Sequence, residues 1–241
     1  MGPMKVLLTL IVSAAAALAQ TPPAKTVHKP APRANPLLNP YGFRAVAPPV
    51  YRVRFATTHG DFTVEVNRAW APLGADRFYN MVRSRYLNES SFYRISPGFI
   101  VQFGMAANPS VNSAWDKAPI KDDPVKQSNK RGTLVFATSG PNSRTTQLFI
   151  NLRDNTMLDS QGFAAFGAVT EGMEIVDGLY SGYGEIKEMG GRGPSQALAG
   201  KLGKPYLDKD FPKLDSVKSA IVIFPAAPAP AVKKAAPATK R

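Results

Sequence analysis

The chain has 241 residues, 44% of them hydrophobic, no cysteine and a formal net charge of +13. That length allows one or two domains with a proper core, and the missing thiols exclude disulfides, thiolate metal sites and a lipid-bearing N-terminal cysteine. The charge suggests a nucleic-acid binder until it is located. Residues 1–49 carry five basic groups and no acid, and residues 225–241 carry four and no acid, so the middle of the chain holds 21 basic against 17 acidic groups. The basicity therefore belongs mostly to two solvated tails, and no nucleic-acid partner is expected.

In chain order, Met1–Ala19 reads as a secretory signal peptide. Lys5 supplies the positive start, Val6 to Val12 and the following alanines the apolar stretch, and Ala17-Leu18-Ala19 a cleavage site before Gln20. The apolar run is too short to span a bilayer and no second one follows, so no transmembrane segment is expected after cleavage, and a periplasmic or secreted location is. Residues 20–49 hold eight prolines (Pro22, Pro23, Pro30, Pro32, Pro36, Pro40, Pro48 and Pro49) and read as a polyproline-like linker.

The folded domain is expected over residues 50–224, followed by a disordered Ala/Pro/Lys tail over 225–241. Tyr51, Val53 and Phe55, then Phe62, Val64 and Val66, alternate with polar residues around Thr57-Thr58-His59-Gly60, which predicts a hairpin. His59 reads as a turn residue, having no carboxylate or thiol motif beside it. Ala71-Pro72 opens a helix whose apolar stripe is Ala75, Phe78, Tyr79, Val82 and Tyr86, with Asn88 near its end.

Phe92 to Ile95 and Phe99 to Phe103 are short apolar runs on either side of a Pro97-Gly98 turn, and so predict two adjoining strands. Each carries one polar side chain that packing would not select, Arg94 and Gln102. Alternation puts Arg94 on a face with Phe92, and Gln102 with Ile100. Residues 105–132 read as irregular, broken at Asn108-Pro109, Ala118-Pro119 and Asp123-Pro124, with the acid pair Asp122-Asp123 as turn formers rather than metal ligands. Thr133–Ala137, Leu148–Asn151, Phe163–Val169 and Val217–Phe224 read as strands and Glu171–Tyr180 as a short helix. The glycine-rich stretch 181–203 lacks phosphate-loop spacing and reads as a mobile surface loop. Many short strands with two helices suggest a β-barrel rather than alternating βαβ units.

The run Phe92-Tyr93-Arg94-Ile95-Ser96-Pro97-Gly98-Phe99-Ile100-Val101-Gln102 resembles the central signature of the cyclophilins, the peptidyl-prolyl cis/trans isomerases. Phe136 to Ser143 with Thr146 to Ile150 is a second match, and Leu158-Asp159 with Phe166-Gly167 and Gly172-Met173 a third, all in family order. The resemblance covers roughly residues 51–223. It implies a mainly β fold, a closed eight-stranded antiparallel barrel capped by two α-helices. It also implies a monomer that rotates X-Pro bonds in unfolded or extended polypeptides outside the cytoplasm, with no cofactor and no metal. The alternative is a holdase that binds proline-containing segments with little catalysis.

By the same resemblance Arg94 is the catalytic cation and Gln102 orients it. Phe99, Ile100, Phe149 and Leu158 correspond to a proline pocket, with Met157 and Phe163 at its rim. Ala137, Thr138 and Gln147 line the neighbouring peptide groove. The chain departs from the common pattern at Tyr93 (often histidine), Ile100 (methionine), Thr138 (asparagine) and Met157 (tryptophan), the last putting cyclosporin binding in doubt. Residues 160–165 differ in length and residues 181–214 are longer than in compact members.

Overall fold

A computed structural model of the protein describes residues 34–223. The signal peptide, the first part of the linker and the C-terminal tail read from the sequence lie outside the described residues. Eight strands form one antiparallel sheet: β1 (Val50–Thr57), β2 (Asp61–Asn67), β3 (Arg94–Ser96), β4 (Ile100–Phe103), β5 (Thr133–Phe136), β6 (Leu148–Asn151), β7 (Ala165–Glu171) and β8 (Val217–Ile223). Their order across the sheet is β3-β4-β6-β5-β7-β2-β1-β8. The sheet is curled and open, and the expected closed barrel is not formed by a continuous ladder. Its end strands β3 and β8 are not paired; instead residues flanking them meet at the bridge Ser91–Ser216, with Phe92 N–H donating to the Asp215 carbonyl at 2.9 Å and Val217 N–H to that of Ser90 at 2.9 Å.

The hairpin β1–β2 has the expected register, Val50 opposite Asn67 through Ala56 opposite Asp61. Its alternating apolar residues point into the main core, where Phe55 and Phe62 stack at 4.7 Å. Strands β4, β5 and β6 are different because both of their faces are covered. Val101, Phe103, Leu134, Phe136, Leu148 and Ile150 face the main core, while Ile100, Val135 and Phe149 face a second, smaller cluster with Leu158 and Ala165. Two-sided burial is why these segments read as continuous apolar runs. Gly104 ends β4 with φ +102°, and a Cβ there would stand 2.4 Å from the Thr146 carbonyl oxygen, so only glycine lets the two backbones approach this closely.

There are five α-helices among the described residues rather than two: α1 (Pro72–Arg83), α2 (Pro109–Trp115), α3 (Met173–Gly178), α4 (Gln196–Leu202) and α5 (Lys204–Asp210). Helix α1 carries the expected stripe on the core but ends at Arg83; Tyr86 follows it and packs on Trp115 at 4.6 Å. The Asn108-Pro109 break proves to be a helix start, since Asn108 Oδ1 accepts from Ser110 N–H at 2.8 Å and Pro109 occupies the first turn.

Residues 34–49 do not form a spacer. Two short 3-10 turns (Pro36–Leu38 and Pro40–Gly42) lay this arm on α1 and α2. Trp115 Nε1 donates to the Leu37 carbonyl at 2.8 Å, Phe43 stacks on Trp115 at 5.7 Å, and Asn80 bonds both the N–H and the C=O of Ala45. The arm's backbone is thus satisfied by side chains of the domain, which is what docks a proline-rich strand with no sheet partner.

The acid pair at 122–123 is an organising device. Asp123 accepts from Leu73 N–H at 3.0 Å and Gly74 N–H at 2.8 Å, meeting the unpaired donors at the start of α1, and pairs with Arg144 Nη1 at 3.2 Å. Both side chains of this pair are almost wholly buried, at 3% and 2% exposed. Asp122 accepts from Arg144 Nε and from Asn142 N–H, which fixes the Gly140–Ser143 turn. Replacing Asp123 by alanine leaves the buried Arg144 guanidinium with the partly exposed Asp122 as its remaining carboxylate and uncaps α1, so Asp123→Ala should lose about 3 kcal/mol of unfolding free energy. Denaturant unfolding checks this; a loss under ~1 kcal/mol would show that the pair is not the brace described.

Candidate functional site

The register of four strands, β3, β4, β6 and β5, builds a row of side chains on the outer face of the sheet. Arg94 lies directly opposite Gln102, Gln102 opposite Phe149, and Phe149 opposite Val135. The expected sharing of a face by Arg94 and Phe92 does not occur, because the chain bends before β3. Phe92 turns into the main core against Phe103, and Tyr93 into a separate cluster, so Arg94 is left on the outer face with Gln102.

This face forms one wall of a groove of about 1270 Å³. The volume exceeds the roughly 300–1,000 Å³ usual for a small-molecule site and suits a stretch of polypeptide. Of the residues predicted for the site, Arg94, Gln102, Phe99, Ile100, Ala137, Thr138, Gln147, Phe149, Leu158 and Phe163 all line the groove. Met157 does not; its side chain is largely in solvent, one position before the inward-facing Leu158 on a short 3-10 segment (Thr156–Gln161). Ile100, Phe149 and Leu158 with Phe99 and Phe163 make a compact apolar pocket, and Phe163 meets Phe149 edge to face at 5.6 Å.

A buried amide network holds this pocket's rim. Asn155 Nδ2 donates to the Phe99 carbonyl at 2.9 Å and to Asn151 Oδ1 at 2.8 Å; Asn151 Nδ2 donates to Asn129 Oδ1 and Thr133 Oγ1. Asn129 in turn bonds Asp159 and donates to the Phe163 carbonyl at 2.8 Å. The three asparagines are fully buried. Each is individually unremarkable in the sequence, because only the fold brings 129, 151 and 155 together. Satisfied buried amides of this kind fix geometry rather than supply chemistry.

The polar row is also a chain of hydrogen bonds. Arg94 Nη1 donates to Gln102 Oε1 at 2.9 Å, and Gln102 Nε2 donates to Gln147 Oε1 at 3.1 Å. Tyr93 Oη donates to the same Gln147 oxygen at 2.5 Å. Burial pushes the Tyr93 phenol far above its ordinary range, so it stays a donor at any working pH. Where a histidine is common, Tyr93 therefore contributes a permanent proton to the network from its place in a second core. The Thr138 hydroxyl is spent within its own turn, on the Gly140 carbonyl and Ser143 Oγ, so Thr138 offers the groove its backbone and methyl rather than a free hydroxyl. Ala137 N–H is likewise committed, to the Gln147 carbonyl at 2.9 Å.

The opposite wall was not foreseen. Residues 181–214, of which 181–203 read as a mobile loop, contain a 3-10 turn (Lys187–Met189), α4 and α5, and pack a cluster of Ile186, Ala199, Tyr206, Leu207 and Phe211 on Tyr93 and Met105. Ile186, Glu188, Met189, Gln196, Ala197 and Lys201 line the groove from this side, and Ser110 and Asn112 of α2 join them. Alternating small and polar residues between glycines hid the anchors, which are few and spaced irregularly. Among the described residues no group of three or more His, Cys, Asp or Glu could hold a metal ion, and no helix is long and apolar enough to cross a membrane.

Residues 52–192 match the family described as cyclophilin type peptidyl-prolyl cis-trans isomerase/CLD. Peptidyl-prolyl cis-trans isomerase B of Escherichia coli is 34% identical over 180 residues, which cover 71% of this chain and 98% of that one. A peptidyl-prolyl cis-trans isomerase of Acinetobacter baylyi is 36% identical over 131 residues, 52% of this chain and 69% of that protein. The crystal structure of a Cryptosporidium parvum cyclophilin type peptidyl-prolyl cis-trans isomerase, 19% identical, superposes with a TM-score of 0.53 over 73% of this chain and 99% of its own. At that identity the likeness is one of fold.

The wall from residues 181–214 has an acid-sensitive brace. Glu188 accepts from Ser195 Oγ and from the N–H groups of Gln196 and Ala197, at the start of α4. Burial opposes its charge, but these bonds outweigh that and bring its pKa from 4.5 down to about 2. A depressed carboxylate stabilises the folded wall above its ordinary pKa of 4.5 and ceases to do so as pH falls through about 2. Amide spectra of Gln196 and Ala197 should accordingly titrate in that acid window in the wild type and not in Glu188→Gln; identical behaviour of the two proteins would contradict the brace.

Proposed function

The chain belongs to the cyclophilin-type peptidyl-prolyl cis-trans isomerase family, and from that membership we infer that it turns over X-Pro bonds in the groove bordered by Arg94. Rotation about such a bond loses amide resonance against a barrier of ~20 kcal/mol. It needs no bond broken to a nucleophile and no proton carried away. What it needs is a site that holds the twisted amide more tightly than either planar isomer. In the twisted state the proline nitrogen recovers its lone pair and becomes a hydrogen-bond acceptor, while the preceding carbonyl oxygen swings around it.

The row Arg94–Gln102–Phe149 supports this reading best, because it sets a fixed cation at the edge of an apolar pocket. Phe99, Ile100, Phe149, Leu158 and Phe163 would hold the pyrrolidine ring still. Arg94 would donate to the nitrogen or the moving oxygen, and Gln102 would keep the guanidinium in place. A guanidinium has five N–H donors. Among the described residues, three of Arg94's are used, on Gln102 and Glu185, so two remain for a substrate. Arginine suits the role because it stays charged and its donors form a rigid plane. Ala137, Thr138 and Gln147 border the part of the groove that would take the flanking peptide backbone, with the Gln147 amide oriented by the two bonds its oxygen accepts.

The clients on this reading are unfolded or extended proline-containing polypeptides, met by a monomer. The signal-like residues 1–19 favour work in the periplasm or outside the cell, where the isomerase would assist folding. The exposed Met157 leaves the pocket rim without the large aromatic contact that would favour cyclosporin.

Removing one preorganised donor typically costs a factor of ~10² to 10³. Arg94→Ala should therefore lose that much turnover of an X-Pro peptide in line-shape NMR, while the peptide's Kd changes only a few-fold. A variant that isomerises at the wild-type rate would remove Arg94 from the mechanism.

A further inference from the structure

Arg94 is gripped by a residue that comes from outside the sheet. Its Nε donates to Glu185 Oε1 at 2.5 Å and its Nη2 to Glu185 Oε2 at 3.0 Å, a fork-to-fork pair. The two side chains are 11% and 27% exposed. Gln102 bonds only one nitrogen, which leaves the guanidinium free to swing about that contact. Two parallel bonds from one carboxylate fix its plane.

Glu185 is itself built into place. Its Oε1 also accepts from the N–H of Ile186 at 2.9 Å, and its carbonyl accepts from Gly193 N–H at 2.8 Å. The chain returns over it so closely that a Cβ on Gly191 would lie 1.9 Å from the Glu185 carbonyl oxygen. The next residue, Ile186, is buried in the cluster that seats residues 181–214 on Tyr93, the neighbour of Arg94. The glycines crowded into this stretch thus serve a tight wrap around one carboxylate. Burial disfavours the Glu185 charge, but the bonds from Arg94 and Ile186 prevail and hold its carboxyl below the usual range, so it is ionised at neutral pH.

The pair could mask the cation or aim it. Arg94 lines the groove and Glu185 does not, and two guanidinium N–H groups are left over. The carboxylate holds the guanidinium without standing where a peptide would lie. We propose that Glu185, supplied by the segment 181–214, is a positioning residue for prolyl isomerisation that fixes the plane of Arg94 toward the twisted amide. This rests on Arg94 being the catalytic cation. It gives that segment a role in turnover as well as in walling the groove. The stretch matching the family ends at residue 192, so α4 and α5, which help to seat Glu185, lie beyond it.

The test compares the full-length wild type, Arg94→Ala, Glu185→Ala and the isosteric Glu185→Gln, with an Ala-Pro peptide as probe. On-enzyme exchange rate and Kd are read by NMR, together with the Arg94 Nε–H resonance. With Arg94→Ala inactive, both Glu185 variants should slow on-enzyme exchange, Glu185→Ala about tenfold, as misplacing a catalytic group does. The Kd should stay within about twofold, and the Nε–H signal should broaden or vanish because its acceptor is weakened or lost. Glutamine, keeping one acceptor oxygen, should do less harm than alanine. Glu185 variants that exchange at the wild-type rate would overturn the proposal while leaving the Arg94 mechanism standing. Variants that exchange faster would overturn it in favour of a mask. An active Arg94→Ala would instead remove the premise itself.

Discussion

A permanent cation beside an apolar pocket is the arrangement on which the rest of this structure depends. Arg94 is nearly withdrawn from water, and an unpaired guanidinium in that place would cost several kcal/mol. The protein meets the cost with partners from two directions, Gln102 across the β3–β4 pair and Glu185 from residues 181–214, while Gln147, itself bonded by Tyr93, steadies Gln102. These bonds leave the guanidinium two donors short of saturation. On the proposed mechanism that shortfall is where a substrate acceptor fits.

Such a pair is a poor source of stability, since a buried ion pair roughly repays its own desolvation. Its value is geometric. The antiparallel register fixes Arg94 relative to Phe149, and the buried asparagines fix Phe99 and Phe163 relative to the strands. Cation and pocket therefore move together as parts of one sheet and its immediate supports. A reaction that consists only of differential binding depends on that rigidity more than on any reactive side chain.

Much of this was readable in the sequence where local pattern decides the outcome. Alternation gave the β1–β2 hairpin, the 3.6-residue stripe gave α1, and the run from Phe92 to Gln102 carried the family's signature with its two polar residues. Where several distant segments decide, the sequence misleads. Phe92 and Arg94 are two apart yet part company, because the bridge at Ser91 ends before β3 begins and the chain bends between them. Asn108-Pro109 breaks a loop and starts a helix with the same two residues. The prolines of 34–49 spell a spacer, and only the Trp115 and Asn80 side chains make that stretch part of the domain. Residues 181–214 show no periodicity that would announce three helical pieces, and the value of Glu185 appears only when the fold closes a separation of 91 positions to bring it to Arg94.

On this mechanism the claim to be tested is that the groove lowers the barrier to rotation rather than merely holding proline-containing chains. Two-dimensional exchange NMR on a short X-Pro peptide, with the full-length protein at catalytic concentration, tests that claim most directly. Catalysis should give cis–trans cross-peaks that grow in far faster than in the free peptide. Saturable peptide binding with exchange at the uncatalysed rate would contradict it and leave the groove as a recognition site.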